Sequence, residues 1–284
     1  MIKLLFGAGL ATAACTYLIA PEKPGEGARI HFAGRNYAHR GLHDMGKGVP
    51  ENSLAAFRAA RDMGFGIELD IQLSKDGQVV VFHDCNLKRM CGVDLAVDSL
   101  TYDELLQFRL VGTDEKIPLF SEVLQLMGGR QPLIVELKTF GHRSELCSRA
   151  LTLMRTYQGE LCMESFDPFI VAWFRRNAPD IVRGQLTMVG CRKERKSSGI
   201  NAVLIFALSH VMTNCLSRPN FIAHKLGKKT FAVRLAEHMG AMRFAWTSHM
   251  PGNEQGNDSV IFEGYLPEPS FNQKYSNSCS FSIK

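Results

Sequence analysis

From about Arg29 onward the chain alternates short, β-rich apolar runs with stretches of helical periodicity. That alternation is the signature of βαβ units and a parallel sheet. Eight runs read as strands, near Tyr37–Arg40, Gly66–Gln72, Val79–His83, Leu133–Lys138, Leu161–Ser165, Val182–Leu186, Phe221–His224 and Arg243–Thr247. After the first of them, Leu54, Phe57, Ala60 and Arg61 recur at helical spacing; Asn52 or Ser53 can cap that helix and Gly64 can close it. Thr101 followed three residues later by Glu104 has the form of a capping box. Further helices begin at Pro118–Leu124 and at Phe169, the latter halted by Pro179. Eight strands with helices between them predict an α/β fold, a TIM (β/α)8 barrel. An open sheet is the competitor that the pattern alone leaves standing.

The flanks break this rhythm. Leu4 to Ala20 is apolar with Lys3 in front, and a polar, turn-rich linker follows at Pro21–Gly27. The apolar stretch is short beside the roughly 20 residues that a spanning helix needs. It fits an uncleaved anchor, a cleaved signal with sites at Ala11-Thr12-Ala13 or near Ala20, or a hydrophobic helix packed on the domain. At the other end, Glu268 to Lys284 is rich in Ser and Asn, lacks periodicity and reads as disordered. The expected organisation is therefore residues 1–28 as anchor or signal plus linker, 29–267 as barrel, and 268–284 as tail.

Composition adds limits. A chain of 284 residues suits one large core, and 45% hydrophobic with 21% charged residues is typical of a globular protein. The net charge of +5 is mild: it favours an anionic surface or substrate. With no Lys/Arg stripe interleaved with aromatics, nucleic acid is excluded as a partner. No protein partner is implied. Cys15, Cys85, Cys91, Cys147, Cys162, Cys191, Cys215 and Cys279 are scattered with no CxxC pair, which reads as reduced thiols. Together with the N-terminal segment, this predicts a membrane-associated protein with its barrel on the cytoplasmic side.

The chemistry shows where polar residues interrupt strands that should be apolar. In Ile67-Glu68-Leu69-Asp70-Ile71 the period of two puts both carboxylates on one face. Burying them without a cation is expensive, and a hard divalent ion, Mg2+ or Ca2+, resolves the cost with oxygen ligands. Leu133–Lys138 repeats the alternation, so Glu136 supplies a third carboxylate and Lys138 a positive charge for a phosphate oxygen. His39 and His83 each end a β run, where barrel enzymes keep their acids and bases. Arg40 offers the bidentate geometry that phosphate favours. Glu51 and Asn52 serve as helix-start residues or reach the site. Glu164, Gln185 and Trp246 end later strands, where they line the pocket or make internal contacts; His43, His210 and Cys85 are assigned to structure or loop.

With these residues assembled, the chain resembles the glycerophosphodiester phosphodiesterases. The resemblance runs through Ala38-His39-Arg40-Gly41, Pro50-Glu51-Asn52-Ser53, Ile67-Glu68-Leu69-Asp70, Val81-Phe82-His83-Asp84 and Ile134-Val135-Glu136-Leu137-Lys138, in order. It continues in Glu164-Ser165-Phe166, Arg183-Gly184-Gln185-Leu186, Ala245-Trp246-Thr247 and Phe262-Glu263-Gly264. It implies a TIM barrel, a divalent cation (Mg2+ or Ca2+) on Glu68, Asp70 and Glu136, and acid/base roles for His39 and His83. It also implies phosphate binding by Arg40 and Lys138, Glu51 near the metal or the glycerol hydroxyls, and Trp246 in the substrate pocket. The reaction would be hydrolysis of a small-molecule glycerophosphodiester to an alcohol and glycerol 3-phosphate.

Two features depart from that pattern. The link after the sixth predicted strand carries a basic run, Arg192–Lys196, and an apolar stretch, Ala202 to Leu216, readable as a barrel helix with a charged loop or as a segment in the membrane interface. The tail after Leu266 resembles nothing in the family core. Among competing functions, an amide- or ester-cleaving metallohydrolase usually carries His-x-His on its first strand, whereas Arg40 and Gly41 follow His39 here. A lysophospholipase D acting on membrane lysolipids fits the same residues. A non-catalytic lipid-binding module would be expected to lack one of His39, His83, Glu68, Asp70 or Glu136, and all are present.

Overall fold

The computed structural model describes residues 13–138, 140–189 and 202–271. Nine strands are present among them: β1 (Arg35–Ala38), β2 (Gly66–Leu73), β3 (Val79–Val81), β4 (Leu133–Leu137), β5 (Leu161–Ser165), β6 (Val182–Thr187), β7 (Phe221–Lys225), β8 (Met242–Ser248) and β9 (Ser259–Phe262). All but β3 are parallel and close into an eight-stranded barrel. Closure is made by β1, which pairs β9 at Tyr37↔Ile261 and β2 at Tyr37↔Gly66. The fold is a TIM barrel, as the strand–helix alternation predicts.

One predicted strand is not in the barrel. Val79–Val81 runs antiparallel to β2, with Ile71 opposite Val81, so it extends β2 as a hairpin outside the ring. The eighth barrel strand is instead β9. Val79-Val80-Val81-Phe82 is a continuous apolar run, indistinguishable by pattern from a buried parallel strand. Ser259–Phe262 is only four residues long and follows a polar, Gly- and Asn-containing stretch.

Alternation within each strand sorts the core into two clusters. Inward side chains such as Tyr37, Ile134, Cys162, Phe221, Phe244 and Ile261 fill the barrel interior. Outward ones, among them Ile67, Leu69, Leu133 and Val135, pack on Phe57, Phe120, Leu146 and Ile170 of the surrounding helices. Gly184 is required by the interior packing: a Cβ there would lie 2.1 Å from the Phe221 ring.

The flanks are more integrated than the sequence suggests. Residues 13–19 are helical, and Ile19 is buried with Val211, Ile222 and Val233. Asn214 donates to the Ile19 carbonyl, and Glu22 pairs at 2.6 Å with the fully buried Arg183. The helix Glu26–Phe32 then delivers Phe32 into the interior cluster. The linker drawn through residue 28 therefore forms part of the barrel's packing. Among the described residues no helix is long and apolar enough to cross a membrane. Residues 1–12, which carry much of the predicted anchor or signal, lie outside the described residues, as do Arg192–Lys196, Cys191 and Cys279. At the C-terminus, Asn36 donates to the Pro269 carbonyl and Phe271 to that of Gly34. Residues 268–271 are thus tied to the start of β1, and the remaining tail lies outside the described residues. The link before β7 contains the helix Ala202–Ser209, held to the barrel by the Thr187 hydroxyl donating to the Leu208 carbonyl.

Candidate active site

Inward alternation brings Glu68 and Asp70 of β2 and Glu136 of β4 to the C-terminal mouth, where barrel chemistry resides. Each places an oxygen within 4.8 Å of the others, and all three are buried. Burial, then the neighbouring Asp70, pushes the Glu68 carboxyl up; burial and Asp70 do the same to Glu136, against the pull of Lys138. Burial also opposes ionisation of Asp70, but Lys138 and Arg40 outweigh it and hold that carboxyl low. Lys138 Nζ lies 2.7 Å from Glu136 and 3.0 Å from Asp70, and Arg40 Nε 3.3 Å from Asp70. A buried, oxygen-only set crowded enough to resist its own charge fits a hard divalent cation.

Two strained residues frame this cluster. Arg40 and Asn52 both adopt left-handed backbone, at φ 54° and 53°, and the Asn52 amide donates to the Arg40 carbonyl at 2.9 Å. Such backbone in non-glycine residues costs energy and persists only where its surroundings over-determine it. Here the return is specific. Arg40 N–H donates to Glu68 at 3.1 Å, and the Asn52 side chain donates to Asp70 at 2.8 Å. Gly41 completes the turn at φ 81°, where a Cβ would sit 2.9 Å from Ala56. The His-Arg-Gly and Pro-Glu-Asn segments are thus one interlocked unit.

Each histidine has a carboxylate on Nδ1. His39 meets Glu263 at 2.7 Å, and its Nε2 lies 3.9 Å from Glu68. Burial pushes the His39 pKa down, and the Glu263 hydrogen bond opposes that; Glu263 itself is held near 2 by His39. His83 meets Asp84 at 2.6 Å. A carboxylate on Nδ1 places the shared proton there and leaves Nε2 to exchange protons with a substrate. Arg89 then joins the pieces: its guanidinium takes Glu51 at 2.7 and 2.8 Å and Asp84 at 2.7 Å, while Glu51 also takes Arg40 at 2.7 Å. His83, Asp84, Arg89, Glu51 and Arg40 form one continuous chain of contacts.

The predicted catalytic, metal and phosphate residues His39, His83, Glu68, Asp70, Glu136, Arg40 and Lys138 therefore meet at this mouth. Glu51 stands between Arg40 and Arg89. Trp246 lies two residues before the end of β8, with its indole N–H on the Ala223 carbonyl and its ring edge-on to Phe166. Glu164 of β5 lies buried directly across from Glu136 in the β4–β5 register, its carboxyl pushed up by burial and by Glu136. Gln185 does not line the pocket: its amide donates to the Ser165, Phe166 and Leu186 carbonyls. Glu263, Asp84 and Arg89 were missed as site residues. Asp84 carries a readable signal, an acid directly beside His83, whereas Arg89 carries none. Glu263 had none beyond its place in a motif, because the strand before it was unrecognised.

The glycerophosphoryl diester phosphodiesterase family model matches residues 39–263. A glycerophosphodiester phosphodiesterase of Caldanaerobacter subterraneus subsp. tengcongensis is 32% identical over 165 residues, 54% of this chain and 66% of that protein. The lysophospholipase D GDPD1 of Rattus norvegicus is 34% identical over 142 residues, 45% of this chain and 43% of that protein. The matches thus span less than two thirds of the length of these relatives. The crystal structure of a glycerophosphodiester phosphodiesterase from Thermotoga maritima superposes with a TM-score of 0.60 at 26% identity, covering 82% of this chain and 95% of that one. An Oleispira antarctica phosphodiesterase, solved with the product sn-glycerol-3-phosphate, shares the fold at 22% identity, a TM-score of 0.65, and coverage of 81% of this chain and 93% of that one.

Proposed function

This chain belongs to the glycerophosphoryl diester phosphodiesterase family, and from that premise we propose that it hydrolyses glycerophosphodiesters to an alcohol and glycerol 3-phosphate. The observation that carries the reading is the convergence, at one barrel mouth, of three buried carboxylates, two basic side chains and two carboxylate-oriented imidazoles. Glu68, Asp70 and Glu136 hold Mg2+ or Ca2+, which when bound supplies Lewis-acid stabilisation of phosphoryl charge. Lys138 and Arg40 turn from Asp70 to the non-bridging phosphate oxygens and counter the charge that grows on them. Of His39 and His83, one removes a proton from the attacking nucleophile at Nε2, and the other delivers a proton to the departing alkoxide. Glu51 sets the Arg40 guanidinium, and Trp246 walls the mouth opposite.

The membrane surface is the second part of the proposal. Phe140, Phe169, Val203 and Phe206 are exposed large apolar side chains on the loops and helices that follow β4, β5 and β6, and the net charge is +5. These favour an anionic bilayer on the mouth side, with the barrel in a reducing compartment.

Purified protein should release glycerol 3-phosphate from glycerophosphocholine, and EDTA should stop it, with Mg2+ or Ca2+ restoring it. His39→Ala and His83→Ala should each lower kcat by about 10²–10⁴-fold with the circular dichroism spectrum retained. Wild-type turnover in either variant removes the acid/base assignment. Fractionation of cells expressing the full chain and a version lacking residues 1–12 tests the membrane: equal partition to the soluble fraction ends that part.

A further inference from the structure

Beside His83 the mouth opens into a cavity of about 720 Å³. Its floor is made by Glu136, Lys138 and His83 themselves, so it is continuous with the reacting centre. Away from that floor one wall is apolar, made by Phe140, Phe166, Pro168, Phe169 and Leu208, while Cys85, Asn86 and Ser165 complete the lining. Phe140 and Phe169 hold large apolar side chains 43% and 51% exposed there. Exposed aromatics grouped along a concave wall, rather than scattered singly, mark a ligand surface. The charged groups on the rim are already matched. Arg143 pairs with Asp167 at 2.7 Å and stacks over the Phe169 ring, and Asp84 is taken by His83 and Arg89. The cavity thus offers contact area to hydrocarbon and little free charge to a polar head group.

A phosphodiester has two arms, and with its phosphorus between Lys138 and Arg40 one arm must leave along the His83 side. We propose that this alcove is a subsite for an unbranched hydrocarbon chain carried by one arm of the substrate. The proposal rests on the phosphodiesterase reading above and extends it from water-soluble diesters to chain-bearing ones. The chain has two possible sources: an acyl group esterified to the glycerol, or an alkyl group on the departing alcohol. Both present the same methylenes to Phe140, Phe166, Phe169 and Leu208.

Chain-length series distinguish the sources. One series is glycerophosphocholine with its butanoyl, hexanoyl and octanoyl esters; the other is glycerophosphoethanol with its butyl, hexyl and octyl homologues, all below their micellar concentrations. Burial of a methylene is worth a factor of about fourfold, so kcat/KM should rise by about that factor per methylene in at least one series. A rise in the first places the glycerol arm in the alcove, and a rise in the second places the leaving arm there. The readout is the ratio of octanoyl or octyl to parent substrate within one preparation, so a general loss of folding or turnover cancels. In Phe140→Ser/Phe169→Ser the ratio should fall several-fold. Activity on glycerophosphocholine with flat ratios in both series overturns the alcove and leaves the phosphodiesterase reading intact. An unchanged ratio in the double variant overturns its location. No turnover of any diester by the metal-loaded protein ends the underlying reading and the alcove with it.

Discussion

At the residue scale, the pairing of His39 with Glu263 sets a testable pH dependence. Burial lowers the His39 pKa below 6.5, so the neutral ring persists into mildly acidic solution. If His39 acts as the base, the acid limb of kcat/KM should fall below pH 6.5. Glu263 opposes the burial effect by stabilising the protonated ring. Glu263→Gln removes that support, so the acid limb should move to still lower pH while kcat drops through lost orientation. A limb that stays in place or moves upward contradicts the pairing. Arg89 invites a second test. It touches no metal-site carboxylate but holds Glu51 and Asp84 together. Arg89→Ala should cost about 10–100-fold in kcat, the usual price of losing an orienting partner, with Arg89→Lys recovering part of it. The inward carboxylates were legible in the sequence because a buried strand has no ordinary use for them. Arg89 was not, because an exposed arginine on a short surface helix is common, and only the fold brings Glu51 and Asp84 to it.

At the element scale, strand pairing depends on details that a hydrophobic pattern does not record. β2 read correctly from its alternation, and β4 likewise. β3 read as a barrel strand because apolar content says nothing of direction. The turn Ser74–Gln78, with Gly77 at φ 76°, is what sends the chain back along β2. His83 therefore reaches the mouth from a loop after an antiparallel strand, not from a barrel strand end, yet arrives because Phe82 N–H bonds the Asp70 carbonyl at 3.0 Å. Where β6 meets β7 the packing has no slack. Gly184→Ala would drive a methyl into the Phe221 ring and should destabilise the fold by about 1–3 kcal/mol, read as a lower urea midpoint at constant m. Gly184→Ala/Phe221→Leu should recover part of the loss, since the ring edge is the obstacle. An unchanged midpoint in the single variant would show that the interior yields at this layer.

At the scale of the whole molecule, the N-terminal stretch decides how much chain the barrel needs. Its hydrophobicity is compatible with an anchor, a signal or a packed helix, because all three want the same apolar residues. What separates them is contact with partners far along the sequence, invisible until the fold is formed. Ile19 is buried among Val211, Ile222 and Val233, and Glu22 is the carboxylate partner of Arg183, whose side chain is wholly buried. A chain beginning at residue 13 keeps both contacts, while one beginning at residue 25 loses both. The loss of Ile19 burial is worth about 1.5–3 kcal/mol. The Arg183 partner adds about 1–2 kcal/mol, at the low end for a charged hydrogen bond because Glu22 is half exposed. The shorter version should thus be less stable by about 2.5–5 kcal/mol, enough to populate unfolded chain in a protein of ordinary stability. Glu22→Gln in the longer version should show only the smaller part. Equal urea midpoints for the two truncations would mean that the segment rests on the barrel without supporting it, and would return its role to whatever lies before residue 13.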